Sequence, residues 1–362
     1  ASPAFVILWL IGGACAIGAA VQAKYHRLAA LTMLSVAGLV TCLTFVWFSA
    51  PDLALTQLAV EVVTTVLFLL GLRWLPKRKV LDAASTMGSR LRRGRDALLA
   101  VCTGAGLAAL AYAMLTRPAP QSISPFFLEK ALPEGGGTNV VNVMLVDFRS
   151  FDTMGEITVL GAVGLTIYAL LRRFRPPRES VDVPVQQRAV QGEEVTDLVK
   201  ARTAQDTASG YMLVPAVLVR LLLPVAWVVA VHLFMRGHNE PGGGFVAGLV
   251  VAAAFITQYM VAGTSWVEAR IKLYPARWIA MGLLFALVTG LGAWWLGYPF
   301  LTTHTAHLVL PVLGEVHIAS ALFFDIGVFA AVVGATLLIL TALAHQSVRG
   351  HRAPPNEAGE AR

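Results

Sequence analysis

Charge is what this sequence has least of. Only 14% of its 362 residues are Asp, Glu, Lys or Arg, against roughly a quarter in an ordinary soluble domain. Cysteine is scarce as well. Cys15, Cys42 and Cys102 each fall inside an apolar run, and no CxxC occurs. Thiols so placed are inert packing residues, and nothing supplies an iron–sulfur ligand set, a haem attachment or a zinc ribbon. No cofactor is therefore expected. No GKS or GKT follows the glycine run near residue 242, which excludes a Walker loop. The start, Ala1, enters an apolar run almost at once, without the basic start and small-residue cleavage site of a signal peptide. The sequence is accordingly expected to be a piece of a longer polypeptide, or to be numbered after a missing start.

What is present is hydrophobic. Apolar residues make up 57% of the chain, its mean hydropathy is +0.69, and runs near 20 residues recur along it. Backbone groups in lipid must pair internally, so such a chain spans a membrane as helices or as a closed barrel. The runs are continuous rather than alternating, which excludes the barrel. The expected fold class is all-α, a polytopic helical membrane protein. About nine helices are predicted, over 4–22, 28–49, 53–75, 97–115, 152–172, 213–235, 243–263, 276–297 and 318–345.

The net charge of +7 raises the question of nucleic acid, but its distribution answers it. With the N-terminus outside, inside loops receive Lys24, Arg27, the run from Arg73 to Arg95, Arg172 to Arg202, and Arg270 to Arg277. Outside loops keep only Arg117, Lys130, Arg149 and Arg236. This is the positive-inside pattern; it predicts N-out, C-in topology and no nucleic-acid partner.

Two polar stretches organise the chain. Residues 116–151, expected outside, are rich in Pro and Gly, with room for one short helix or reentrant piece. Residues 173–212, expected inside, hold Pro176–Pro177 and then EEVTDLVKARTAQD, a linker with one short amphipathic helix. The expected division is a five-helix module over 1–175, a linker over 176–210, a four-helix module over 211–347 and a flexible tail over 348–362.

The candidate chemistry is carried by acids at membrane depth. Glu61 lies midway along an apolar run, where a charge costs roughly 2.5 to 3.5 kcal/mol. Gln57, Thr64 and Thr65 share its helix face. The stripe fits a protonatable relay with hydroxyls able to hold water, a reading favoured over a paired acid that only fixes packing because intramembrane carboxylates are expensive to keep. Asp52 follows Pro51 and reads as a helix-start cap. Asp152 and Glu156 lie one turn apart, with Arg149 close enough to neutralise one of them. They read as an interfacial cap, or with Glu156 as a second buried acid. Asp325 lies inside the last run, two turns after His317 on one helical stripe. The glycine-rich MRGHNEPGGGF reads as a tight external turn, while His238, Glu240, Gly243 and His317 are candidates for an outer ion vestibule. His304, His307, Glu315 and His317 have spacings compatible with zinc, but scattered external histidines are commoner than sites, and no metal is assigned.

These segments resemble a known family. APDLALTQLAVEVVTTVLFLLGLRWLP resembles the C-terminal part of the A subunit of Mrp-type multisubunit cation/proton antiporters, and NVVNVMLVDFRSFDTMGEITVLGAVG resembles the end of the same polypeptide. LVPAVLVRLLLPVAWVVAVHLFMRGHNEPGGGFVAGLVVAAAFITQYM and LGEVHIASALFFDIGVFAAVVGATLLIL resemble the B subunit. The resemblance implies a bacterial or archaeal cell-membrane complex that exchanges sodium, sometimes potassium or lithium, for protons. It also implies kinship with the membrane arms of respiratory complex I and membrane-bound hydrogenases. Its partners would be the other Mrp-type subunits, the bilayer, Na+ and H+. The resemblance places function on Glu61 and, less directly, on Glu156; the turn at His238–Phe245 and Asp325 match B-type patterns. The A subunit normally opens with a many-helix module bearing lysine–glutamate relays, and no lysine lies mid-helix here. The chain alone is thus expected not to be an antiporter. A redox-driven membrane arm and an assembly scaffold are the alternative roles.

Overall fold

The computed structural model describes residues 2–23, 26–72, 87–118, 121–173, 213–262, 264–272, 274–310 and 314–350. Among them, nine helices are long and apolar enough to cross a membrane. They are α1 (Pro3–Gln22), α2 (Arg27–Trp47), α3 (Pro51–Leu72), α4 (Met87–Thr116), α7 (Ser150–Arg173), α8 (Leu213–Arg236), α9 (Gly244–Ala262), α11 (Pro275–Trp295) and α12 (Ala321–Gly350). The shorter α5 (Ser124–Lys130), α6 (Val140–Val143) and α10 (Thr264–Arg270) lie between them.

Helix ends follow local chemistry. The Ser2 hydroxyl accepts from the Phe5 N–H at 3.3 Å, and Pro3 follows at the first helical position, where a missing N–H costs nothing. Pro51 and Pro275 open α3 and α11 in the same way. Threonines inside the apolar helices donate to the carbonyl one turn back, as Thr44 does to Val40 and Thr64 to Val60, each at 2.8 Å. That satisfies a hydroxyl where water is absent.

Residues Lys77–Leu128 form a unit of their own. It holds α4, which starts earlier than the expected 97 because the arginine-rich stretch from Arg90 to Arg95 continues the helix beyond the apolar run.

The second unit comprises Ala1–Pro76 and Glu129–Arg362. Here α1 packs on α2, α2 on α3 and α3 on α9, while α12 packs on α11, α9 and α7. The core gathers Ile256, Phe324, Val332, Leu337 and Leu340, all fully buried. Glycine lets α11 and α12 approach backbone to backbone. A Cβ on Gly282 would lie 2.6 Å from both Ala331 N and Gly327 O, an approach that only small residues permit. Packing crosses the 176–210 division, since α3 and α7 precede it and seat against α9 and α12 beyond it.

The structure departs from the expectations in three places. Strand β1 (Thr305–Leu310) pairs antiparallel with β2 (Gly314–Ala319), placing His307 opposite His317. The last helix therefore starts at Ala321, not 318, and His317 is not on the helical stripe of Asp325. Two β-rich segments satisfy their backbone groups across the hairpin instead. The same helix runs on to Gly350, so it takes in 348–350 from the expected tail. The stretch 116–151 holds α5, then α6 running into a π-helical turn, Met144–Phe148. The amphipathic helix expected in EEVTDLVKARTAQD lies outside the described residues.

Candidate functional site

Two cavities in the second unit hold carboxylates. The first, of about 350 Å³, lies between α2 and α3 and is lined by Gly38, Thr41, Glu61, Thr64, Thr65 and apolar side chains. Glu61 is half-buried, and its carboxylate rests on Gly38, where any Cβ would overlap Oε2. Thr65 Oγ1 donates to Glu61 Oε1 at 3.5 Å, and Ser35 Oγ lies 2.8 Å from Thr65 Oγ1. A hydroxyl has one proton, so with Thr65 donating to the carboxylate, Ser35 donates to Thr65. Thr64 lines the same cavity, although its hydroxyl is spent on backbone carbonyls. Gln57, on the same helix face by sequence, is not among the lining residues. Sequence reasoning misses Ser35 and Gly38, because they lie on the neighbouring helix.

The second cavity, of about 190 Å³, forms where α3, α6, α7, α9 and α12 meet. Asp52, Thr56, Asn142, Glu156, Gly243 and Asp325 contribute to it. Asp325 is 7% exposed and receives the Gly244 N–H. Glu156 is an exposed residue lining the same cavity. Asp152 is placed apart, paired with Arg149, which is the neutralisation expected for one acid of that pair.

Asp52 does something its sequence position conceals. Its place after Pro51 reads as a helix cap, but its carboxylate accepts from Gly242 N and from Asn139 Nδ2, each at 3.2 Å. The two protons of Asn139 Nδ2 are shared between Asp52 and the carbonyls of Gly237 and Glu240, at 3.1 and 3.0 Å, while its Oδ1 caps α6 through Val141 N and Asn142 N. The glycine-rich turn is thus tied to helices far from it in sequence. His238 Nε2 lies 2.9 Å from the Gly135 carbonyl, and the Glu240 carboxylate lies 3.4 Å from Arg236. Gly243 adopts φ +100°, a left-handed conformation suited to glycine. His317 sits on β2, opposite His307. The π-turn is anchored by Asp147, whose Oδ1 accepts from Thr303 N at 2.6 Å. Burial pushes the Asp147 carboxyl above its ordinary range, opposed by the Thr303 hydrogen bonds and by nearby His238. Among the described residues, no group of three or more His, Cys, Asp or Glu is arranged to hold a metal.

The fold and these cavities define a polytopic helical membrane protein with carboxylates held inside its bundle. Residues 214–338 match the family model described as a domain related to the MnhB subunit of Na+/H+ antiporter. Residues 11–77 match the model MbhD, for the D subunit of MBH, and residues 91–188 match MbhE, for its E subunit. The chain is 56% identical, over 97% of its length, to a probable K+/H+ antiporter A/B subunit of Rhizobium meliloti (strain 1021), covering 35% of that protein. It is 35% identical to the Na+/H+ antiporter B subunit of Alkalihalophilus pseudofirmus, covering 91% of that protein with 36% of its own length. The solved Mrp complex from Dietzia sp. DQ12-45-1b includes a chain that matches with TM-score 0.76 and 32% identity, over 95% of this chain and 35% of that one. The chain belongs to the Mrp-type multisubunit antiporter family, joining the end of an A-type polypeptide to a B-type one. It spans about a third of the A/B relative's length and nearly all of the B relative's.

Proposed function

We propose that this chain serves as a membrane subunit of a monovalent cation/proton antiporter in the bacterial or archaeal cell membrane. In this reading it works beside other Mrp-type subunits, is not an enzyme, and does not exchange ions alone. It lies N-out, C-in, with its two modules divided within 176–210, and Glu61 forms part of the ion path. One observation carries the reading: the Glu61 carboxylate faces a cavity of about 350 Å³ and ends a hydroxyl chain through Thr65 to Ser35. When Glu61 is ionised, both hydroxyls point their protons towards it. When it is protonated, the chain reverses and Glu61 donates. Such a reversible chain passes a proton without moving a helix. Coupling is electrostatic: a cation beside the carboxylate favours its ionised form, and protonation favours cation release. Glu156 and Asp325 extend the path at the second cavity, with His238, Glu240, Gly243 and His317 towards the outer surface. Asp152, spent on Arg149, is the weakest member of this set.

The test is sodium- or potassium-dependent collapse of a respiration-generated pH gradient in everted vesicles holding the full complex. Glu61→Gln nearly conserves shape, so exchange is expected to be lost at equal assembly. Retained exchange would demote the chain to a scaffold. The matches to the MbhD and MbhE models support a second reading, a membrane arm of a redox-driven complex. Cation-dependent proton flux without a reductant separates the two.

A further inference from the structure

The second cavity has a feature that transport through Glu61 leaves unexplained. Asn142 is 7% exposed and lines the cavity, yet its Oδ1 has no hydrogen-bond partner among the described residues. A buried amide oxygen without a donor costs about 1–3 kcal/mol; native structures retain few such atoms, and each calls for an occupant. The surroundings specify its charge. Asp52, Glu156 and Asp325 contribute three carboxylates, and no Lys, Arg or His is among the described lining residues. Asp52 is held by two N–H donors and Asp325 by the Gly244 N–H, which leaves further lone pairs on each for an electropositive ligand. The cavity lies near the starts of α3, α9 and α12. Its glycines are required: a Cβ on Gly243 would lie 2.8 Å from Asn142 Nδ2, and one on Gly244 would lie 3.0 Å from Asp325 Oδ1. At about 190 Å³ it has room for an ion and a few waters, at ~30 Å³ each.

We propose that this cavity is a binding site for a partly dehydrated monovalent cation, coordinated by Asp325, Asn142 Oδ1 and Glu156, with Asp52 fixed behind them. The site is separate from the Glu61 cavity, and the proposal rests on the transport reading only for choosing a monovalent over a divalent ion. Hard oxygen ligands suit either class. The choice also fits the ligands: Asp52 is already committed to donors, and the Asn142 oxygen is neutral.

Thr56 lines the cavity and gives a local probe. In the purified full complex, Thr56→Cys is labelled with a methanethiosulfonate reagent and read by peptide mass, in sodium, potassium or choline chloride at one ionic strength. Sodium or potassium should protect the thiol, slowing labelling about threefold at twice the half-saturating concentration, as 1 + [L]/Kd requires. Adding Asn142→Leu should abolish the protection. Asn142→Asp, which keeps the shape and adds charge, should bring protection to lower concentration. Glu61→Gln should leave protection intact, so lost exchange in that variant and lost protection in Asn142→Leu report on separate readings. The proposal is overturned by a thiol unreactive in choline, by equal labelling in all salts, or by protection that survives Asn142→Leu. Magnesium protecting at lower concentration than either monovalent ion would overturn it too.

Discussion

Glu61 and Asp325 are carboxylates set in apolar helices, held in opposite ways. Glu61 stands between two helices, half-buried, against a glycine and two hydroxyls. Asp325 is closed in by the glycine-rich turn on a helix most of whose apolar stretch is buried, whereas few residues of α3 are fully buried. The first acid has room to change rotamer. The second is fixed by backbone, because Gly244 packs directly against the Asp325 carbonyl and carboxylate. The difference follows from who covers each helix. Helices α9 and α12 are buried by their neighbours, whereas α1 to α3 leave long apolar faces exposed, bearing Trp9, Leu10, Val62 and Phe68. In the proposed reading, an acid that responds to an ion is better placed where its cavity wall is not locked, while a fixed acid suits a defined binding geometry.

Small substitutions should break this contrast unequally. A Cβ on Gly244 would overlap the Asp325 carbonyl, and backbone on both sides cannot yield. Overpacking of this kind costs about 1–3 kcal/mol. Gly244→Ala is therefore expected to lower the amount of assembled complex in membranes, the largest effect of the set; unchanged assembly would show that the turn is not pinned. A Cβ on Gly38 would overlap only the Glu61 carboxylate, the free end of a flexible side chain. Gly38→Ala should keep assembly and displace the carboxylate, reducing exchange by ~tenfold, equivalent to ~1.4 kcal/mol on the coupled step. A drop in assembly matching that of Gly244→Ala would erase the distinction between the two acids. Thr65→Val sharpens it further by removing the hydroxyl between Ser35 and Glu61. One hydrogen bond is worth about 1 kcal/mol net, so a loss of exchange of ~fivefold is expected, and Thr65→Ser should restore it. Failure of serine to rescue would assign Thr65 to packing.

The contrast also marks what the sequence made legible. The nine spans were legible because lipid demands long continuous apolar runs, and most of the observed helices begin and end close to those runs. Glu61 was legible because a lone charge in such a run is conspicuous. The hairpin was missed because VHIA reads as apolar in either period, and only pairing with TAHLVL distinguishes them. Asn142 and Asp52 were illegible as site residues. A single asparagine in the short apolar stretch VVNVMLV carries no signal, and the partners of Asp52 are Gly242 and Asn139, which only folding brings near. Ser35 was hidden for the same reason: its significance lies in Thr65 on another helix.

A last prediction concerns an acid outside the membrane helices. Asp147 anchors the π-turn to Thr303, and burial raises its carboxyl above the ordinary range. A raised value means that the folded state holds the proton more tightly than the unfolded state. The stabilisation is fully present below the unfolded value and is lost as pH rises through the folded one. Asn mimics the protonated acid and still accepts from the Thr303 N–H. Asp147→Asn should therefore match the parent complex at acid pH and exceed its stability at neutral pH, by the smallest margin of the four. Thermal unfolding of the purified complex across that range would show the two curves parting as pH rises. A constant offset at every pH would mean that the Thr303 bond, not the buried charge, decides what Asp147 contributes, and the turn would then resemble the locked side of the molecule rather than the responsive one.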